Sequence, residues 1–267
     1  MLQTYWTIMA RRLAAAGALA LAGATTAWSA EWETTNQDGV LVQATAPDRG
    51  GVEAVRRQVL AGRQVVTQFF GSEFPKPAGV KIFADRATLT DYWRQQSQEP
   101  DLKPECWMVA SGTAQGLSLL SPRVWSSQAC DHDAADAVAL QKLITHELVH
   151  VFHGQSNPSP EFDGLEGIDW FVEGLANYAS GQLDDKRLQG VRKALQAMQG
   201  EPLQLSQVWS GSDRYGQAGS LVAYLDRRFG RAALVRMLRC TTPRQLMDVL
   251  GMTEAQLIAD WRASVSH

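Results

Sequence analysis

The residues with the most chemistry to offer meet in THELVHVFHG, Thr145 to Gly154, which sets His146, Glu147, His150 and His153 within eight positions. On a helix, residues four apart lie about 40° apart around the axis and one turn along it, so the imidazoles of His146 and His150 can converge on one ion. Glu147 sits beside the first of them and can lean toward a water on that ion without binding the ion itself. This is the H-E-x-x-H logic of zinc peptidases, two metal ligands with a general base between them.

A catalytic zinc site normally has three protein ligands and a water. His153 shares the face, but it lies about 10 Å from His146 along a straight helix axis, too far for a tight tetrahedron. It is expected beside the site or on the surface. His132 and His267 have no helpful spacing. The better third ligand is Glu173 in WFVEGLANY, because a second helix after an intervening loop can cross the first and present a carboxylate. Glu161, Asp163 and Glu166 read as acids of that loop, and Asp169 as a helix cap. Asn177, on the face of Glu173, is placed to accept from the second ring N–H of a ligand histidine, a support that zinc sites usually provide.

HELVH followed by WFVEGLANY resembles the gluzincin zinc metallopeptidases, more narrowly the peptidase MA-like domain family. Trp170, Glu173, Gly174 and Ala176 match that family's W-x-x-E-G-x-A-like segment, in which the Glu is the third ligand. YGQAGSLVAYL (215–225) looks like the Y-x-K-G segment of gluzincin aminopeptidases, which implies Tyr215 as a hydrogen-bond donor to the tetrahedral oxyanion. Gln217 and Ala218 stand where Lys and Gly are usual. No G-x-M-E-N segment is present, so the aminopeptidase grip on a substrate N-terminus is missing, and the spacing of metzincins is absent too. The resemblance spans about residues 110–265 and implies one Zn²⁺ per chain.

Elements must position these residues, and the chain divides by pattern. Residues 31–134 read as a mixed α/β subdomain. VLVQA (40–44) and VKIFA (80–84) look like strands, and Val52, Val55, Val59, Val66 and Phe69 form one helical stripe. A short helix is expected through ATLTDYWRQQ, and two strands in WMVASGTAQGLSLLS, joined at Gly112 to Gly116. In the gluzincin fold an extended substrate adds to a sheet edge, and GLSLLS (116–121) is the candidate edge here. Residues 135–267 read as helical: ADAVALQKLITHELVHVFH ending at Gly154, DWFVEGLANYAS opening on Asp169, and two later starts marked by Thr242 with Gln245 and Thr253 with Gln256 as capping boxes. The expected fold class is therefore α+β, zincin-like, with an N-terminal mixed part and a mainly helical C-terminal part.

The apolar fraction of 45% over 267 residues provides for a proper core. ARRLAAAGALALAGATTAWSA reads as a secretory signal, cut near residues 27–30, with Met9 as a compact alternative start. Its apolar run is too short and Ala-rich for a membrane span. Residues 1–30 hold two arginines and no acids, so their loss moves the formal charge from −3 to −5 and leaves no basic footprint for nucleic acid. In a periplasmic or secreted protein disulfides are permitted, and Cys106 and Cys130, both in polar turn-like sequence around the candidate hairpin, are the preferred pair. Cys240 is then free.

The sequence thus points to an exported zinc metallopeptidase acting on a peptide or protein substrate. Two other readings use the same residues: a non-catalytic zinc-containing envelope binding module, and a metallohydrolase of a non-peptide substrate. The intact Glu147 favours an enzyme over a module, since a structural zinc has no need of a base.

Overall fold

The computed structural model describes residues 31–165, 167–198 and 203–265. The expected signal over residues 1–30, the loop acid Glu166 and His267 lie outside the described residues.

Strands β1 Glu33–Gln37, β2 Val40–Ala44, β3 Gly79–Phe83, β4 Ala110–Thr113 and β5 Gly116–Leu120 form one mixed sheet in the order β1-β2-β3-β5-β4. The central pairs β2/β3 and β3/β5 are parallel, and the outer pairs β1/β2 and β4/β5 are antiparallel. Strand β1, ETTNQ, is almost wholly exposed and has no apolar alternation to announce it. Its signal is the turn instead: Asp38 and Gly39 take φ of 52° and 70°, the left-handed pair that closes a two-residue hairpin.

The helices are α1 Val52–Phe70, α2 Arg86–Ser97, α3 Ala137–Ser156, α4 Asp169–Ala179, α5 Asp185–Ala197, α6 Arg214–Phe229, α7 Arg231–Met237, α8 Pro243–Leu250 and α9 Glu254–Val265, with single turns at Trp125–Gln128 and Leu205–Val208. All described strands precede residue 121 and the helices dominate thereafter, an arrangement compatible with α+β. No helix among the described residues is long and apolar enough to cross a membrane.

Strand alternation sets the layers. Ser118 of β5 accepts a hydrogen bond from Trp93 Nε1 of α2 at 2.8 Å, so α2 covers that face of the sheet. Leu117 and Leu119 turn to the opposite face, where α1 and α3 pack. On α1 the buried stripe contains Val55, Val59 and Val66 as expected, but Phe70 completes it in place of Phe69. Phe70 stacks on Phe152 of α3, ring centroids 4.4 Å apart. The buried apolar side chains form one continuous core.

Several expectations change at element ends. The β4–β5 turn is Ala114–Gln115, and Gly112 belongs to β4. GLSLLS is not an edge: β5 is paired on both sides, with β3 and with β4, and the edge strand nearest α3 is β4. Helix α3, capped by the Asp136 carboxylate on the N–H groups of Val138 and Ala139, runs past Gly154 to Ser156 before Pro158 forbids continuation. Asp169 is the first residue of α4 and Ile168 occupies the cap position; the acid still sits in the helix's electropositive first turn. Thr253 and Gln256 form the expected reciprocal box. At Thr242 the Gln245 N–H is accepted as expected, while the Gln245 side chain reaches one residue further back, to Thr241 N–H at 2.6 Å.

Candidate metal centre

Two glycines allow the elements of the site to touch. A Cβ on Gly112 would fall 2.1 Å from the carbonyl oxygen of Glu147, so β4 can lie against the H-E-x-x-H segment of α3 only without a side chain there. A Cβ on Gly174 would fall 2.5 Å from the carbonyl oxygen of Ala218, which brings α6 backbone to backbone with α4 immediately after Glu173. These close approaches fix α3 and α4 between the sheet edge and α6.

Within that frame His146, His150 and Glu173 converge. The Nε2 atoms of His146 and His150 lie 3.1 Å apart. Glu173 Oε2 lies 3.4 Å from the first and 3.7 Å from the second. Ligand atoms bound at about 2.0–2.1 Å around a tetrahedral zinc are separated from each other by about 3.3 Å, so this spacing and this N/N/O donor set fit Zn²⁺. All three residues are buried, with 6%, 1% and 5% of their surface exposed. Among the described residues they are the one group of His, Cys, Asp and Glu side chains that could hold a metal ion.

The electrostatics are those of a closed cluster. Burial acts to raise the Glu173 pKa, but the charge of His150 and the hydrogen bonds from both imidazoles outweigh it and hold the carboxyl far below its ordinary range. Burial acts to lower His146, yet Glu173, Glu147 and Gln182 keep the ring above the usual histidine value. Glu147 is raised, mainly by burial and also by the Glu173 charge, against the lowering effect of both histidines and of the Gly112 N–H that it accepts.

Tyr215, the second residue of α6, faces the cluster with its ring centroid 6.4 Å from that of His146. Burial and the charges of Glu173 and Glu147 hold its hydroxyl protonated well beyond the ordinary tyrosine range, so it is available as a donor. Asn177 is fully buried but sits one step away from the histidines: its Nδ2 donates to Gln182 Oε1 at 3.4 Å and its Oδ1 faces Gly219 of α6. Gln182, just beyond α4, lines the cleft, so Asn177 holds a cleft residue and does not meet a ligand histidine as expected. His153 is neither on the surface nor at the ligand cluster. It is 0% exposed, edge-on to Phe162 at 5.1 Å and Phe171 at 5.8 Å, and burial pushes its pKa down to about 3.

A cleft of about 220 Å³ opens over the cluster. One wall is the segment from Leu102 to Ser111, which ends in the first two residues of β4. The opposite wall brings Arg187 of α5, Trp209, and Arg214 and Tyr215 of α6. The first wall is pinned by the expected disulfide, Cys106–Cys130, and by Arg86, whose Nη2 donates to the carbonyls of Cys106 and Gln128 at 2.8 and 2.9 Å. Cys240 is free and buried. His132, which sequence spacing does not connect to the site, lines the cleft with its Nε2 2.8 Å from Trp107 O. The loop acids Glu161 and Asp163 are not among the lining residues. Compared with known proteins, the chain matches no family model and no curated protein.

Proposed function

We propose that this chain is an exported zinc-dependent metallopeptidase with a zincin-like, gluzincin-type catalytic half. The observation that carries the reading is the convergence of His146 Nε2, His150 Nε2 and Glu173 Oε2 at 3.1–3.7 Å, with the Glu147 carboxylate buried in the turn between the two histidines. Zn²⁺ held by His146, His150 and Glu173 would polarise a substrate carbonyl and acidify the attacking water. Glu147 takes the water's proton on its carboxylate and then hands it to the leaving amine. The Tyr215 hydroxyl donates to the developing oxyanion, a contribution of about 3 kcal/mol where such donors have been removed. The open edge of β4, whose Ala110 and Ser111 line the cleft, receives the extended substrate as an added strand.

The test is a pair of measurements on the mature protein. The chain should purify with one zinc per molecule and cleave casein, and Glu147→Gln should keep the zinc while losing about 10²–10⁴-fold in rate. Full activity in Glu147→Gln removes Glu147 as the base. Stoichiometric zinc with no hydrolysis of any peptide leaves the binding-module reading or a non-peptide substrate.

A further inference from the structure

Arginines that are half-buried in this fold find acceptors, with two exceptions. Arg63 donates to Gly39 O, Arg86 to the carbonyls around the disulfide, Arg94 to Leu102 O and Asp91, Arg231 to Asp226 and Phe69 O, and Arg262 to Met198 O. Arg187 and Arg214 are buried to a similar degree, and among the described residues neither guanidinium has a carboxylate within salt-bridge distance or a hydrogen-bond acceptor. Arg214 Nε is itself buried without a partner. Both residues line the cleft over the metal cluster.

What holds them there is aromatic. The Arg214 guanidinium carbon lies 5.3 Å from the Trp209 ring centroid, 5.5 Å from that of Tyr215 and 5.9 Å from that of Trp107. Arg187 lies 5.6 Å from the Tyr215 centroid. A guanidinium resting on ring faces is weakly satisfied as a charge and keeps its planar fork of N–H donors for an acceptor that arrives from outside. The setting adds to this: the chain is net negative, yet beyond the ligand cluster and Glu147 the cleft presents Lys103, Arg187 and Arg214 against the single exposed acid Glu105. Such a concave positive patch raises the local concentration of anions.

We propose that the substrate carries a carboxylate that docks between Arg187 and Arg214, on the Tyr215 side of the metal centre. This rests on the peptidase reading and adds to it the chemical class of the substrate. Both guanidiniums lie within 5.6 Å of the Tyr215 centroid, and that ring is 6.4 Å from the His146 ring. At about 3.3–3.6 Å per extended residue, the carboxylate falls within about two or three residues of the bond addressed by Glu147. It belongs either to an acidic side chain or to the substrate's own C-terminus. A planar carboxylate fits the two forks in bidentate fashion, whereas a carboxamide brings a donor face against donors. The cleft rejects a lysine or arginine at that position.

The experiment separates this proposal from the reading it rests on. Three octapeptides of one sequence are compared: one acetylated and amidated with a single Glu, its Gln twin, and the Gln twin with a free C-terminus. Binding is measured by calorimetry on the zinc-loaded full chain carrying Glu147→Gln, and kcat/KM on the chain with Glu147 intact. One of the two carboxylate peptides should bind at least about tenfold more tightly than the neutral twin, and which one does so identifies the source of the carboxylate. The preference should shrink with added salt and collapse toward unity in Arg187→Gln/Arg214→Gln. Equal binding of all three peptides, no binding at all, or a preference that survives in the double variant overturns the proposal. If the double variant does not fold, Arg187→Gln alone should reduce the preference, and an undiminished preference there counts against it. Binding preference without cleavage by the intact chain rejects the peptidase reading and keeps the carboxylate site. Cleavage without preference does the reverse.

Discussion

Two buried polar clusters flank α3 and α1, and they are built on opposite principles. Arg56 of α1 is 2% exposed, and its guanidinium donates to Val40 O at 2.8 Å, Gln37 O at 3.2 Å, Thr35 Oγ1 at 2.6 Å and Glu53 Oε2 at 3.3 Å. The cluster closes on itself: the donors of one cation meet the free carbonyls of the β1–β2 hairpin. The group formed by His146, His150 and Glu173 is as deeply buried, yet its three ligand atoms point at one another across 3.1–3.7 Å. Protein hydrogen bonds complete the first cluster, whereas the second has the spacing that a cation of the right size would complete. A buried polar group therefore signals function when its partners converge on a space, and structure when they converge on it.

The largest effect that sharpens this contrast is metal-linked. Zinc at about a thousandfold excess over its Kd should stabilise the chain by about 4 kcal/mol, and His150→Ala should remove that increment entirely. Chemical denaturation with zinc and with a chelator measures both. Equal stabilisation of the two proteins by zinc places the ion elsewhere. Next in size is Arg56→Ala, which leaves the Val40 and Gln37 carbonyls short of their donor and should cost about 3 kcal/mol, the same with zinc as with chelator. A zinc-dependent cost would show that the two clusters are coupled through the α1–α3 contact.

The legibility of the two clusters in the sequence differs for the same physical reason. The spacing of His146, Glu147 and His150 is helical geometry written in one segment, and the break between α3 and α4 is marked by Asn157, Pro158 and Pro160, so Glu173 could be placed on a crossing helix. Cys106 and Cys130 were readable from the polar turns around a hairpin. Strand β1 was not, because an exposed edge strand needs no apolar alternation. Gly112 looks like a turn glycine by every local rule; only the arrival of α3 against it explains why it lies inside a strand. The cleft walls were the least legible part. Trp107, His132, Gln182, Arg187 and Arg214 come from loops and first helical turns far apart in sequence, where no periodicity connects them. The signal for Arg187 and Arg214 is a missing partner, and partners are visible only in three dimensions.

A third cluster lies between the two extremes and yields the smallest effect. Asp226 of α6 receives a fork from Arg231 of α7, at 3.0 Å from Nε and 2.6 Å from Nη2, together with the Tyr178 hydroxyl of α4 at 2.9 Å. Arg231 also reaches Phe69 O of α1 at 2.6 Å, so four helices meet at one half-buried ion pair. Burial acts to raise the Asp226 pKa, but the bonds from Arg231 and Tyr178 outweigh it and the pKa is lowered. A carboxyl whose folded pKa is depressed contributes stability above its unfolded value, near 3.8, and loses it as pH falls through the folded value. Because the Arg231 side chain keeps 35% of its surface in solvent, which screens the pair, Asp226→Asn should cost about 1 kcal/mol at neutral pH. That difference between variant and parent should shrink steadily below about pH 4. Urea unfolding at pH 7, 4 and 3 follows it. A cost that stayed constant across that range would mean that Asp226 matters here as a neutral hydrogen-bond acceptor and that its charge contributes nothing. The ion pair would then be one more self-satisfied cluster like that of Arg56, built from geometry and indifferent to protonation.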